Sequence, residues 1–198
     1  MSKAIVIVPT YNEADNIINI IERVLLLSVD FNILVVDDNS PDNTGQLVSK
    51  LAINNSERVF LLSRNNKEGL GKAYTEGFIW ALDNQYEYIF EMDADFSHDP
   101  KVLTKLISLV NLDTALVIGS RYVPGGGVTN WPLFRRVLSK WGNLYTAFCL
   151  RLKIKDCTSG FRVYSAKSLK NIDLDGLKAD GYAFLSEMAF VISRKKLG

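Results

Sequence analysis

Short, continuous apolar runs alternate along the chain with stretches whose apolar residues recur every three or four positions. Ala4, Ile5, Val6, Ile7 and Val8 form a β-branched block stopped by Pro9, which predicts a buried strand over 4–8. Ile17, Ile21, Val24 and Leu25 then fall at helical spacing, and Ile33 to Val36 form a second buried strand ending at Asp37 and Asp38. Turn and cap residues (Ser40, Pro41, Asp42, Asn43, Thr44) lead into a helix predicted over about 45–53. Further strands are predicted over 59–62, 88–92 and 115–118. Helices are predicted from the spacing of Leu70, Ala73, Tyr74, Gly77 and Phe78, and over 102–110. Continuous apolar strands separated by helices predict an α/β fold with a mostly parallel central sheet covered on both faces. Ligands of such sheets bind beyond the carboxyl ends of the strands. Pro124, Gly125, Gly126 and Gly127 form a flexible joint, so a first half over 1–122 and a second functional segment over 123–198 are expected within one domain, 1–198.

Composition narrows the class. Lys plus Arg number 23 and Asp plus Glu 22, a net charge of +1, so no nucleic-acid partner held by bulk charge is expected. Apolar residues make up 47% of the chain and charged ones 23%, which excludes wholesale disorder. No apolar run reaches the ~18–20 residues that span a bilayer, and the N-terminus enters a strand pattern directly, so no signal peptide is expected. The two cysteines, Cys149 and Cys157, lack CxxC spacing, which points to a reduced, cytoplasmic setting without a zinc site or disulfide framework.

The acids carry the strongest chemical signal. Asp37 and Asp38 end the second strand, and Asp93 and Asp95 follow the fourth. An Asp-x-Asp pair on that rim can offer hard oxygen ligands to Mg²⁺ or Mn²⁺ beside a diphosphate; an isolated pair is more often a turn former or a cap. In Pro9-Thr10-Tyr11-Asn12-Glu13, Thr10 and Glu13 fit a capping box for the first helix, while Tyr11 and Glu13 also suit stacking on a base and hydrogen bonding to it. Gly69-Leu70-Gly71-Lys72 fails as a Walker A loop, because Asn66 and Ala73 stand where Gly and Ser/Thr are needed. It fails as a dinucleotide fingerprint at Tyr74, leaving a Gly-rich helix start. His98, the single histidine, excludes triads and His clusters and is expected to be a turn residue. Over 131–153, Phe134, Val137, Leu138, Trp141, Leu144, Tyr145 and Phe148 form an apolar stripe beside Arg135, Arg136, Lys140, Arg151 and Lys153. Core packing and an interfacial helix on an anionic membrane both fit this stripe.

The ordered set VPTYNE (8–13), VVDDNSPDNT (35–44), GLGKAY (69–74), MDADFSHDP (92–100), GSRY (119–122), DxTSGFR (156–162) and GYAFLSEM (181–188) resembles the family 2 glycosyltransferases of GT-A, Rossmann-like fold. Within them it is most similar to the dolichyl-phosphate (polyprenyl-phosphate) mannose synthases. The resemblance implies that Pro9, Tyr11, Glu13, Val36 and Asp38 hold the nucleoside of a nucleotide-sugar donor, GDP-mannose. It implies that Asp93, Ala94, Asp95 and Ser97 meet Mg²⁺ or Mn²⁺ and the diphosphate, the metal ligands being Asp93 and Asp95. Arg121, Arg135 and Ser139 would bind the phosphate of a polyprenyl or dolichyl phosphate acceptor, with Asp95 and Arg121 at the reacting centre. The half over 1–122 is then nucleotide-binding and the half over 123–198 acceptor-binding and membrane-proximal. The implied setting is peripheral, on the cytosolic face of a membrane, with an anchoring subunit as a further partner. No Gln-x-x-Arg-Trp occurs, unlike in processive polysaccharide synthases, and the chain is expected to be short or truncated at Gly198 relative to related synthases. Two other readings stay open: a UDP-sugar transferase acting on the same lipid, and a catalytically inert membrane-docking subunit.

Overall fold

A computed structural model of the protein describes residues 3–128 and 132–195. Strands β1 (Ala4–Thr10), β2 (Phe31–Asp37), β3 (Val59–Ser63), β4 (Tyr88–Glu91), β5 (Leu116–Ile118) and β6 (Arg162–Ser165) form one sheet in the order β3-β2-β1-β4-β6-β5. The first four strands are parallel; β6 runs antiparallel to both β4 and β5. Helices α1 (Ile17–Leu25), α2 (Thr44–Asn54) and α4 (Val102–Ser108) contribute to the core on one face of the sheet, and α3 (Leu70–Asp83), α6 (Ala166–Lys170) and α7 (Tyr182–Arg194) to that on the other. Alternate residues of each strand serve the two cores. Val6, Val8, Ile33 and Val35 meet Ile17, Ile21 and Leu103, while Ile5, Ile7, Leu34 and Val36 meet Tyr74, Phe78 and Phe184. This two-sided burial is why the strands read as unbroken apolar runs.

The mostly parallel sheet agrees with the sequence reading, but the sixth strand was not expected. β6 comes from the second segment and inserts between β4 and β5, so both segments share one sheet. The capping box is also absent. Helix α1 starts at Ile17 behind Asn16, without a side-chain cap, because Thr10 Oγ1 donates to Asp37 Oδ1 at 2.8 Å and the Glu13 N–H donates to Thr44 Oγ1 at 3.0 Å. Tertiary partners have taken the Thr10 hydroxyl and the Glu13 N–H, while the Glu13 carboxylate accepts from Asn16 Nδ2 at 2.9 Å.

The Gly-rich start of α3 is structural. Gly69 has φ 102°, and a Cβ there would lie 2.2 Å from Asp180 Oδ2. The Asp180 carboxylate accepts from the Gly71 N–H at 2.9 Å, satisfying an open donor at the helix N-terminus.

Helix α5 (Leu133–Leu150) settles the status of the amphipathic stripe. Phe134 is 76% exposed, Trp141 69% and Phe148 82%, so the stripe is not core; Trp131 lies outside the described residues. Only Asn143 is buried on this helix. Its Oδ1 accepts from the Cys157 N–H at 2.7 Å, and its Nδ2 donates to the Ser139 carbonyl at 3.0 Å and to Thr158 Oγ1 at 3.2 Å. One buried amide thus ties the helix to the segment preceding β6.

Candidate active site

The strand register gathers the candidate residues on one rim. Thr10 pairs with Asp37 and Asp37 with Ser63, while Ile7 pairs with Glu91, so the loops after β1, β2, β3 and β4 leave from the same sheet edge. β5 runs parallel to β4 and ends opposite Arg162, which brings Gly119–Tyr122 to that edge too.

The loops after β1 and β2 are joined by hydrogen bonds from Asn12 N–H to Ser40 Oγ (3.0 Å) and from Ala14 N–H to Asp42 Oδ2 (3.0 Å). Asp37 is the pivot, accepting from Thr10 Oγ1 and from Ser40 Oγ at 2.6 Å; its carboxylate is a turn builder. Asp38 is buried against Arg64, whose Nε reaches Glu76 at 3.0 Å. The side chain of Val36 is fully buried, so only its backbone lies within a ligand's reach, at the register position facing Pro9. Tyr11 is 39% exposed, with Lys67 Nζ 3.9 Å from its ring centroid, and Glu13 fixes the side chain of Asn16 at 2.9 Å.

The turn after β4 presents Asp93 and Asp95. Ala94 between them is buried, and Phe96 takes φ 58°, an uncommon left-handed position for a bulky residue. The Ser97 N–H donates to Asp95 Oδ1 at 2.9 Å. Burial opposes ionisation of Asp95, but the Ser97 hydroxyl and N–H outweigh it and hold the carboxyl below its ordinary range. Asp93 is the deeper acid. Burial raises it, His98 pulls the other way, and the neighbouring Asp95 raises it further. Tyr74 donates to Asp93 Oδ1 at 3.3 Å, and Gly160 lets the backbone pass so close that a Cβ would sit 3.2 Å from Asp93 Oδ2.

His98 is not a plain turn residue. Its ring stacks on Phe161 at 4.8 Å, its Nδ1 accepts from the Asp93 N–H at 3.2 Å, and burial pushes its pKa down. A neutral ring accepting at Nδ1 carries its proton on Nε2, 3.9 Å from Asp93 Oδ2. Among the described residues, no three His, Cys, Asp or Glu side chains form a metal cage. Two carboxylates at one turn therefore fit a hard divalent cation that takes its remaining ligands from a diphosphate and water. Such a cation would also relieve the repulsion that raises Asp93.

Beside this turn lies Arg121. Its Nε and Nη2 bind Asp156 at 2.8 and 2.6 Å, Nη2 also reaches Thr158 Oγ1 at 2.7 Å, and Asp156 is fully buried. The hydroxyls of Ser139 and Tyr122 are 2.7 Å apart. Arg135 is exposed on α5, one turn before Ser139. The structure thus collects Pro9, Tyr11, Glu13, Val36, Asp38, Asp93, Ala94, Asp95, Ser97 and Arg121 on one rim, while Arg135 and Ser139 stand on the neighbouring helix. Sequence reasoning missed Asp156, His98 and Tyr122 as site residues. The DxTSGFR, MDADFSHDP and GSRY strings contained all three, His98 being read as a turn residue and the other two given no role.

Residues 5–173 match the glycosyl transferase family 2 model. The chain is 46% identical over 188 residues to a polyprenol monophosphomannose synthase of Mycolicibacterium smegmatis, covering 95% of this chain and 71% of that protein. It is 42% identical over 192 residues to an undecaprenyl-phosphate mannosyltransferase of Micrococcus luteus, covering 97% and 78%. Among solved structures, the mannosyltransferase PcManGT from Pyrobaculum calidifontis, in complex with GDP-Man and Mn²⁺, superposes with a TM-score of 0.63 at 19% identity. That match covers 94% of this chain, which spans about half (52%) of the PcManGT chain. The strand-end rim, the sheet order and the sequence relationship converge: this chain belongs to glycosyl transferase family 2 and has the GT-A fold.

Proposed function

We propose that the protein transfers mannose from GDP-mannose to a polyprenyl phosphate, with a divalent metal and with inversion at the anomeric carbon. The observation that carries this reading is the juxtaposition of two carboxylates at one turn, Asp93 partly buried and Asp95 exposed, with an arginine already fixed by Asp156, at the edge where α5 exposes its apolar face. The names of two relatives above 40% identity, both polyprenyl-phosphate mannosyltransferases, support it.

In this mechanism Tyr11 stacks on the base, Glu13 and Asp38 frame the nucleoside, and the backbone of Pro9 and Val36 lines its floor. Asp93 and Asp95 hold Mg²⁺ or Mn²⁺, with Ala94 and Ser97 shaping the turn. The cation's contribution, when bound, is to neutralise the leaving diphosphate. Arg121, Arg135 and Ser139 orient the lipid phosphate. One bond forms, from a phosphate oxygen to the anomeric carbon, as the bond to the diphosphate oxygen breaks with its electron pair. A lipid phosphate is already anionic at neutral pH, so no strong general base is needed, in keeping with a rim whose single histidine is committed to Asp93. Alignment of the two substrates then supplies much of the acceleration.

No helix among the described residues is long and apolar enough to cross a membrane. The exposed stripe of α5, flanked by Arg135, Arg136, Lys140, Arg151 and Lys153, is read as the surface that rests on an anionic bilayer holding the acceptor. Thermal-shift titration with GDP or UDP, each with Mn²⁺ or EDTA, tests the donor. GDP with Mn²⁺ should stabilise most. Stabilisation by UDP alone, or no transfer of labelled mannose to polyprenyl phosphate, defeats the reading.

A further inference from the structure

The turn that carries Asp93 and Asp95 is pinned by groups that the reaction itself does not use. His98 Nδ1 accepts from the Asp93 N–H at 3.2 Å, and the His98 ring lies flat on Phe161, with 4.8 Å between centroids and 7° between planes. The Tyr74 hydroxyl reaches Asp93 Oδ1 at 3.3 Å, and the Tyr74 ring is itself stacked on Phe184 of α7. Beside Oδ2 the chain passes at Gly160, where a Cβ would stand 3.2 Å away. Asp93 is thereby held at its backbone, at one carboxylate oxygen and by close packing against the other. The support beneath the imidazole is shared with the opposite half of the site. Phe161 lies in the segment leading into β6, and its carbonyl accepts from the Gly119 N–H at 2.7 Å. Ser159 Oγ donates to the Gly119 carbonyl, also at 2.7 Å. Gly119 opens the loop that carries Arg121, and the Asp156 that fixes Arg121 stands earlier in the same segment.

We infer that His98 is a positioning residue, which fixes Asp93 by accepting its N–H and, through Phe161, fixes the carboxylate turn relative to Arg121. The inference rests on the divalent cation proposed above and adds a residue that touches neither substrate. A cation such as Mg²⁺ demands near-octahedral oxygen ligands at about 2.0–2.1 Å, so a small displacement of Asp93 weakens the site. Groups that orient a metal-binding side chain typically change metal affinity by about 10–100-fold. The imidazole suits this task because it is largely buried and stacked, so its acceptor is already in place before any cation arrives. What counts is the lone pair on Nδ1. No proton moves, and no charge on the ring is required.

Calorimetry of GDP binding, in Mn²⁺ and in EDTA, isolates the metal's share as the ratio of the two Kd values. His98→Phe keeps a flat ring for Phe161 but has no lone pair. His98→Asn gives up the ring, yet its Oδ1 is bonded to Cγ just as Nδ1 is, so it can still accept. His98→Phe should lower the metal's share about ten-fold or more, leave the Kd in EDTA unchanged, and lower kcat more than it raises the acceptor KM. His98→Asn should recover most of that share. If His98→Phe fails to fold, as melting temperature reports, Phe161→Leu takes its place: it leaves the lone pair but frees the ring, and the metal's share should fall as well. An unchanged share in the folded variant overturns the inference and leaves the proposed function standing. So does retention in His98→Phe with loss in His98→Asn, because ring packing alone would then matter. An equal loss of GDP affinity in EDTA and in Mn²⁺ overturns it too, since His98 would then only support the fold. Wild-type protein whose metal share depends on His98 but which transfers no mannose keeps the inference and refutes the proposed function. Equal GDP affinity of the wild type in Mn²⁺ and EDTA refutes both.

Discussion

At the scale of single residues, the site is a set of charges each held by a neighbour. Asp95 stays ionised because Ser97 donates to it, so in the proposed mechanism it is the carboxylate offered to the cation. Asp95→Asn should lower Mn²⁺-dependent GDP affinity and mannose transfer at least ten-fold, a loss of about 1.4 kcal/mol or more. Equal GDP affinity with EDTA and with Mn²⁺ in both proteins refutes the metal role. Asp156 plays the same part for Arg121 from a fully buried position. Asp156→Ala leaves a guanidinium without its carboxylate, and breaking such a pair costs about 3–5 kcal/mol. A drop in denaturation midpoint with a raised acceptor KM is expected, and retention of wild-type stability removes Asp156 from this role. The acids at the strand ends were legible in the sequence because strand ends define the ligand rim in parallel sheets. Asp156 and His98 were not, since their meaning depends on contacts with Arg121 and Asp93 that no local pattern encodes.

At the scale of elements, periodicity placed β1 to β5 and α1 to α5 to within a few residues, because burial on both faces or on one leaves a plain imprint. It missed β6, a four-residue strand whose Arg162 is buried by carbonyl groups rather than by an apolar neighbour. It also left α5 undecided: a stripe of Phe, Leu and Trp looks the same whether it faces a core or a bilayer, and only the exposed positions of Phe134, Trp141 and Phe148 exclude the core. Vesicle co-sedimentation should rise with anionic lipid content and fall with salt, as basic residues beside an exposed apolar face require. Replacing Trp141 and Phe148 by Glu should reduce binding ten-fold or more without lowering the melting temperature, since neither side chain is buried. Binding indifferent to salt, lipid charge and these changes removes the membrane from the account of α5.

At the scale of the whole molecule, the second segment enters the sheet through the seam between β4 and β6, where Glu91 faces Arg162 across the register. Both side chains are fully buried, yet they are not a tight ion pair: the nearest approach is 3.8 Å. Arg162 Nε, Nη1 and Nη2 donate to the carbonyls of Ser159, Leu185 and Cys157 at 2.6, 2.6 and 2.7 Å, while neither Glu91 oxygen has a hydrogen-bond partner. Arg162 thus draws much of its neutralisation from backbone dipoles, and the groups left to meet a Glu91 carboxylate are Arg162 and the Tyr164 hydroxyl. Burial, against the pull of Arg162 and the Tyr164 hydroxyl, pushes Glu91 up to about 8. Because the folded pKa lies above the unfolded one, the unfolded chain releases this proton first as pH rises. The contribution is full below about 4.5, the ordinary glutamate value, and is lost progressively toward 8, at about 1.4 kcal/mol per pH unit within that interval. Glu91→Gln fixes the neutral state at every pH, so its stability relative to wild type should climb by roughly 1 kcal/mol per pH unit between 5.5 and 7.5. Urea denaturation of both proteins across that range measures the difference directly. Parallel stability curves would mean that Glu91 is ionised in the folded protein, with Arg162 as its partner across the seam.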